Sequence, residues 1–320
     1  MIDQLTSAET CRVCGAPLDD DQVHLEELCR NCAEANATQG SYDAQSAAAP
    51  EMAFEPAPIP QQEIPPDPDC PPWGPISGIS VWVLSVAAVI VIPIVAVLAW
   101  YLIQSARGAP LPNLAVRDEL VAWLKSPDLL LVQVLSTIIA HALTIAICWA
   151  VVTKLGRRPF WASLGWNWAG HSVWYWVVFS ACVIVGLLIV SQLLSRVLPQ
   201  SEENAFNDLL KSSRSVRIAI AALATFTAPL VEETVYRGIL FSALRRHLGL
   251  IATVLVVTVM FAGVHVLQYW GAWVSVAGLT LLSLALTVIR ARTKSILPCV
   301  IIHTLNNAFF SVIILMNKAS

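Results

Sequence analysis

The sequence predicts an all-α polytopic membrane protein of about seven transmembrane helices, preceded by a small zinc-ribbon-like head and a Pro-rich linker. Of its 320 residues, 57% are hydrophobic and 13% are charged, against roughly 25% charged residues in a typical soluble domain. Apolar runs long enough to cross a bilayer as helices recur from residue 81 onward. The net charge of −3 is nearly balanced and does not indicate a nucleic-acid partner.

The polar head, residues 1–36, carries two C-x2-C pairs formed by Cys11, Cys14, Cys29 and Cys32. Four thiolates brought together by two such pairs favour a structural zinc, because so short a segment folds on metal and not on a core. Two disulfides are the alternative. If the site holds zinc, the thiols are reduced and the head is cytosolic. It would then either recruit a cytosolic partner or serve as a bare structural module.

Residues 37–79 are rich in proline and alanine. This composition predicts a semi-rigid, extended linker without packed structure. We therefore expect that removal of residues 1 to 75 leaves the membrane domain folded.

The apolar runs predict seven spans, at 81–103, 129–153, 173–196, 216–244, 251–269, 272–289 and 296–316. Spans within 80–200 form an accessory region, and those within 201–320 form a core that carries the polar motifs described next. Basic residues gather in the loops at 154–158, 245–246 and 290–294. The positive-inside rule places these loops, together with the N-terminus, on the cytosolic side.

Glu232, Glu233 and Arg237 interrupt the fourth predicted span. Ionisable groups at membrane depth cost at least about 2.5 to 3.5 kcal/mol each and persist mainly where they function. Glu233 and Arg237 are four residues apart and lie on one helical face, so they can pair and leave Glu232 free. A purely structural ion pair is the alternative for Glu233 and Arg237.

Two later spans carry further pairs of functional side chains at helical spacing, Phe261 with His265 and His303 with Asn307. A carboxylate beside an imidazole can take a proton from water, and a second histidine with an amide can stabilise an oxyanion. Glu232, His265 and His303 also match a two-histidine, one-carboxylate metal site with an open position for water. The residues alone leave both mechanisms open.

These three motifs, in this order and in apolar segments, resemble the CAAX protease and bacteriocin-processing family of intramembrane proteases. It is also called the Abi or type II CAAX prenyl endopeptidase family. The resemblance covers residues 216–316 and leaves the zinc-ribbon-like head outside. It implies a multi-pass endopeptidase of the lipid bilayer with a catalytic cavity opening toward the cytosol. The implied substrate is a peptide or membrane protein, prenylated in the eukaryotic members.

The resemblance also implies a role for each site residue. Glu232 and His265 would activate water, His303 and Asn307 would bind the oxyanion, and Glu233 with Arg237 would orient them. Family members have been described both as metalloproteases and as glutamate-dependent proteases, which leaves a catalytic divalent metal open. A catalytically silent scaffold or immunity protein of the same fold is the alternative function. A small-solute transporter is disfavoured, because no inverted repeat is visible.

Overall fold

The computed structural model describes residues 67–199, 201 and 205–316, and within these ranges the chain is helical without strands. The helices are α1 (Pro75–Ala106), α2 (Arg117–Leu124), α3 (Pro127–Thr153), α4 (Phe160–Ser163), α5 (Val173–Leu194), α6 (Ala205–Leu210), α7 (Arg214–Ala222), α8 (Ala228–Glu233), α9 (Phe241–Val266), α10 (Trp273–Thr293) and α11 (Leu297–Met316). Two π-helical segments, π1 (Leu223–Thr227) and π2 (Thr234–Leu240), join α7, α8 and α9 into one continuous stretch.

Local signals start and stop these helices. Prolines in the first turn begin α1 and α3, where a missing N–H costs nothing. Ser172 and Ser213 cap α5 and α7 by accepting from a backbone N–H in the first turn. Lys154 and Lys294 end α3 and α10 in left-handed conformations.

Within the described residues, six helical stretches have the length and apolar composition to cross a membrane, not the seven expected. They are Pro75–Ala106, Pro127–Thr153, Val173–Leu194, Arg214–Val266, Trp273–Thr293 and Leu297–Met316. Many of their apolar side chains face outward, among them Ile90, Ile94 and Leu98 on α1. A chain with this many apolar helices is an integral, multi-pass membrane protein.

The difference in count comes from the fourth stretch, whose 53 residues cover two of the predicted spans. Gly249 within it has a non-helical backbone, with φ 73° and ψ 177°. The rings of Tyr236 and Phe261 lie on either side of Gly249 in sequence, yet their centroids are 5.1 Å apart. A straight helix would separate these residues by about 37 Å. The chain therefore reverses at Gly249, and the stretch folds into a helical hairpin.

The hydrophobic core lies around this hairpin. Leu240, Phe241 and Phe261 are fully buried in it, together with Val257 and Ile296. Helix α1 packs closely here, since a Cβ built on Gly78 would lie 2.7 Å from the Cβ of Ala243. The core thus surrounds π2, the segment that carries Arg237.

The chain just before α1, Asp67–Trp73, packs against the ends of these helices. Trp73 is buried and donates from Nε1 to the carbonyl oxygen of Ile239 at 3.2 Å. Asp69 pairs with Arg290 at 2.9 Å. The end of the predicted linker is therefore packed and not free, and the first helix begins at Pro75, within the range assigned to the linker. Residues 65–320 form one compact unit.

The zinc-ribbon-like head, with Cys11, Cys14, Cys29 and Cys32, lies outside the described residues, as does the linker up to residue 66.

Candidate active site among the membrane helices

Glu232 and Glu233 are the last two residues of α8, and Arg237 lies in π2. Segments of π-helix are rare and occur frequently at functional sites, because the wider turn changes the direction of the side chains it carries. Glu233 and Arg237 are fully buried, whereas 24% of the Glu232 side chain is exposed. Of the two neighbouring carboxylates, one is thus enclosed by protein and the other remains accessible.

Arg237 holds Glu233 in place. Its Nη1 lies 3.0 Å from Glu233 Oε1, while Nη2 donates to the carbonyl and hydroxyl oxygens of Ser283 at 2.9 and 2.8 Å. Nε donates to the hydroxyl of Thr287 at 3.3 Å. The guanidinium also lies over the ring of Phe261, 4.8 Å from its centroid. A buried charge is tolerated when it is paired and hydrogen-bonded, and all three nitrogens of Arg237 meet that condition.

His303 of α11 joins the two carboxylates. Its Nδ1 is 2.8 Å from Glu233 Oε1, and its Nε2 is 3.7 Å from Glu232 Oε2. Arginine can only donate, so Glu233 Oε1 accepts from Arg237, and we assign Nδ1 of His303 as the second donor to the same oxygen. Nε2 is therefore the nitrogen left for chemistry, and it faces Glu232 at a distance longer than a direct hydrogen bond.

His265, near the end of α9, is held by its own helix. Its Nδ1 lies 2.8 Å from the carbonyl oxygen of Phe261. A carbonyl can only accept, so Nδ1 carries the proton and Nε2 is free. The Phe261 ring lies 4.7 Å from the His265 ring and 6.0 Å from the His303 ring. This one buried ring therefore packs against both histidines.

Asn307 lies one turn after His303 and donates from Nδ2 to the carbonyl oxygen of Ala224 at 2.9 Å. Ala224 needs this side-chain donor because a nearby proline supplies no backbone N–H to it. In π1 the N–H of Ala228 donates to the carbonyl of Leu223, five residues back. In the same register Ala224 would accept from residue 229, which is Pro229 and has no N–H. The Asn307 side chain replaces that donor, and its second N–H remains for another acceptor.

Three residues near the site were not singled out from the sequence. His141 of α3 is buried, with Nδ1 2.9 Å from the hydroxyl of Thr227; its position inside a predicted span was the available signal. Arg290, which the sequence grouped with the basic residues at 290–294, is fully buried in the last turn of α10. Tyr269 follows α9, and burial, aided by the negative charge of Glu232, raises the pKa of its hydroxyl.

The predicted metal ligands were Glu232, His265 and His303. Among the residues that the structure describes, no group of three His, Cys, Asp or Glu side chains is placed to share one ion. The arrangement of these residues therefore does not fit a three-ligand metal site.

One protein-family model matches the chain over residues 214–309, and its description is "Type II CAAX prenyl endopeptidase Rce1-like". No curated protein and no solved structure matches. The match covers less than a third of the chain, and it contains every residue that the sequence predicted for the site: Glu232, Glu233, Arg237, His265, His303 and Asn307. This part of the chain is thus similar to the CAAX endopeptidases, and the similarity begins at the first residue of α7.

Proposed function

We propose that this protein is an intramembrane endopeptidase of the CAAX-protease type, which hydrolyses a peptide bond with water activated by Glu232. The observation that carries the proposal is the position of His303, which is fixed by Glu233 through Nδ1 while Nε2 faces Glu232 at 3.7 Å. A histidine held by one buried carboxylate presents its other ring nitrogen in a fixed position beside Glu232, where the water and the negative oxygen of the intermediate would lie. The family match over residues 214–309 supports the same reaction class.

In the proposed reaction Glu232 takes a proton from a water molecule, and we assign His265 Nε2 as a second acceptor. The water oxygen then bonds to the carbonyl carbon of the substrate. Collapse of this intermediate breaks the bond between carbon and nitrogen, and Glu232 returns the proton to the departing nitrogen. The products are a carboxylate and an amine. Glu232 suits this role because it is the accessible carboxylate of the pair.

The negative oxygen of the intermediate needs hydrogen-bond donors that are already in place. We assign this task to His303, which donates from Nε2 when both of its ring nitrogens carry a proton, and to the second N–H of Asn307, whose other N–H holds Ala224. Both residues lie on one face of α11, a single turn apart. Glu233 and Arg237 take no part in bond making and serve to hold His303.

The substrate that we propose is a peptide or membrane-protein segment, and a prenylated C-terminal tail is the first class to test. We also propose that the N-terminus lies on the cytosolic side of the membrane. For the head we propose a structural zinc bound by Cys11, Cys14, Cys29 and Cys32. The zinc content of purified wild type and of a Cys11→Ser, Cys14→Ser variant tests it, and equal contents would exclude it.

Cleavage by the full-length protein in lipid vesicles tests the proposed function. Wild type and Glu232→Gln are compared on a panel of prenylated CAAX peptides and transmembrane-peptide reporters. Glu119→Gln is the matched control, because Glu119 is an exposed carboxylate on α2. We expect cleavage by wild type and by the control, and none by Glu232→Gln. If folded wild type cleaves nothing, the catalytically silent scaffold or immunity protein becomes the better explanation.

A further inference from the structure

The segment Asp67–Trp73, which we call the pre-helix segment, meets the active-site hairpin through one arginine. Arg290 of α10 is fully buried and uses all three of its nitrogens. Nη1 donates to Asp69 Oδ1 at 2.9 Å and Nη2 donates to the carbonyl oxygen of Pro68 at 3.1 Å. Nε donates to the carbonyl oxygen of Arg237 at 3.1 Å. A single guanidinium therefore bridges the pre-helix segment and the backbone of a site residue.

Three consecutive carbonyls of π2 accept from side chains. Arg237 accepts from Arg290 Nε at 3.1 Å, Gly238 from Ser242 Oγ at 2.6 Å, and Ile239 from Trp73 Nε1 at 3.2 Å. Long π-helical segments are uncommon, and buried backbone acceptors need partners. Two of these three donors belong to the pre-helix segment or are held by it. The segment thus supplies hydrogen bonds that stabilise the backbone of π2.

The conformation of π2 in turn sets the geometry of the site. The side chain of Arg237 extends from π2 to the carboxylate of Glu233, and this carboxylate holds Nδ1 of His303. A change in the path of π2 would move the Arg237 guanidinium and, through Glu233, the nitrogen of His303 that faces Glu232. Misplacement of a catalytic group by about 1 Å can lower a rate about 100-fold.

We propose that Asp69, Trp73 and Arg290 are positioning residues for the reaction, acting on Glu233 and His303 through the backbone of π2. This inference rests on the proposed endopeptidase function. The pre-helix segment then helps to set the geometry of the active site, although it lies outside residues 214–309, the part that the family model matches. None of the three residues touches the substrate in this proposal, so their loss should slow turnover without weakening substrate binding.

The test compares three substitutions in the full-length protein in lipid vesicles. Asp69→Asn removes the charge that faces buried Arg290, and Trp73→Phe keeps a ring but removes the donor to Ile239. Asp118→Asn is the control, since Asp118 is an exposed aspartate in the first turn of α2. Values of kcat and KM are measured separately with the substrate found for wild type, and hydrogen exchange is followed for residues 234–242.

We expect Asp69→Asn and Trp73→Phe to lower kcat by about 10-fold to 100-fold with KM changed less than about 2-fold. Backbone exchange should be faster within 234–242 in both, and the control should match wild type. Values of kcat and exchange equal to the control in both variants would overturn the proposal. If Asp69→Asn does not fold, the values of kcat and exchange for Trp73→Phe decide the test. If wild type cleaves nothing, the endopeptidase proposal fails, and exchange alone decides whether the segment stabilises π2.

Discussion

Glu233 Oε1 accepts from both Arg237 and His303, at 3.0 and 2.8 Å. A single oxygen thereby joins the hairpin to α11, while the other oxygen of the same carboxylate, Oε2, is buried and makes no hydrogen bond to any residue that the structure describes. The carboxylate is held from one side only. Its position therefore depends strongly on the arginine, and this dependence leads to the first prediction.

Arg237→Ala should destabilise the protein much more than Glu232→Ala does. The first change leaves Glu233 as an uncompensated buried charge, which costs about 3 to 5 kcal/mol. The second removes a partly exposed side chain and should cost less than about 1 kcal/mol. Thermal unfolding in detergent compares the two variants, with Arg237→Lys to test retention of charge alone. Equal midpoints for the two alanine variants would rule out the pairing argument.

Asn307→Ala should lower both kcat and stability, because the residue donates to Ala224 and is assigned to the oxyanion. We expect a loss of kcat of about 100-fold to 1000-fold and a loss of stability of about 1 kcal/mol. Pro229→Ala in the same chain restores a backbone N–H for Ala224 and should recover the stability but not the rate. Recovery of both would show that Asn307 acts only on the helix backbone.

Two truncations should differ sharply. Removal of residues 1–66 keeps every described contact of the pre-helix segment, so the midpoint of thermal unfolding should stay near that of the full chain. Removal of residues 1–74 takes away Asp69 and Trp73 and leaves Arg290 buried without its carboxylate, which should cost about 3 to 5 kcal/mol. This replaces the expectation from sequence that residues 1 to 75 are dispensable for folding. Matching midpoints for the two truncations would restore that expectation.

Gly249→Ala should destabilise the hairpin. With φ 73° and ψ 177° the residue occupies a region that is open essentially only to glycine, at a cost of about 1 to 3 kcal/mol for other residues. Gly263→Ala is the control, because a Cβ there meets no atom within 4 Å and alanine is favoured in helices by about 1 kcal/mol. The midpoint of thermal unfolding should fall in Gly249→Ala and rise in Gly263→Ala. An unchanged midpoint in Gly249→Ala would argue against a tight reversal of the chain.

Sequence reasoning located the polar pairs of the site because they follow helical spacing. Glu233 with Arg237 and His303 with Asn307 are each four residues apart, and this period holds whatever the tertiary structure is. The reversal at Gly249 also falls between two predicted spans. What the spacing could not show was that the Phe261 ring packs against both His265 and His303, because a local period does not relate one span to another.

The contacts around π2 could not be predicted for a different reason. Trp73 and Ile239 are separated by 166 residues, and Arg290 and Asp69 by 221. No local pattern couples residues so far apart. A proline-rich composition predicts a linker whether or not the segment packs against the fold. A basic residue near the end of a span is likewise predicted to lie at the membrane surface. Only the folded chain shows that this arginine is buried and that this segment is packed.

The lengths of the two helical arms on either side of Gly249 decide which of their residues lie at the same level. Glu232 lies about 25 Å before the bend along its helix and His265 about 24 Å after it, so the two arms bring these residues to one level. Inserting one residue in either arm would shift its end by about 1.5 Å and rotate it by about 100°. A change in the length of one arm of this hairpin must therefore be compensated in the other.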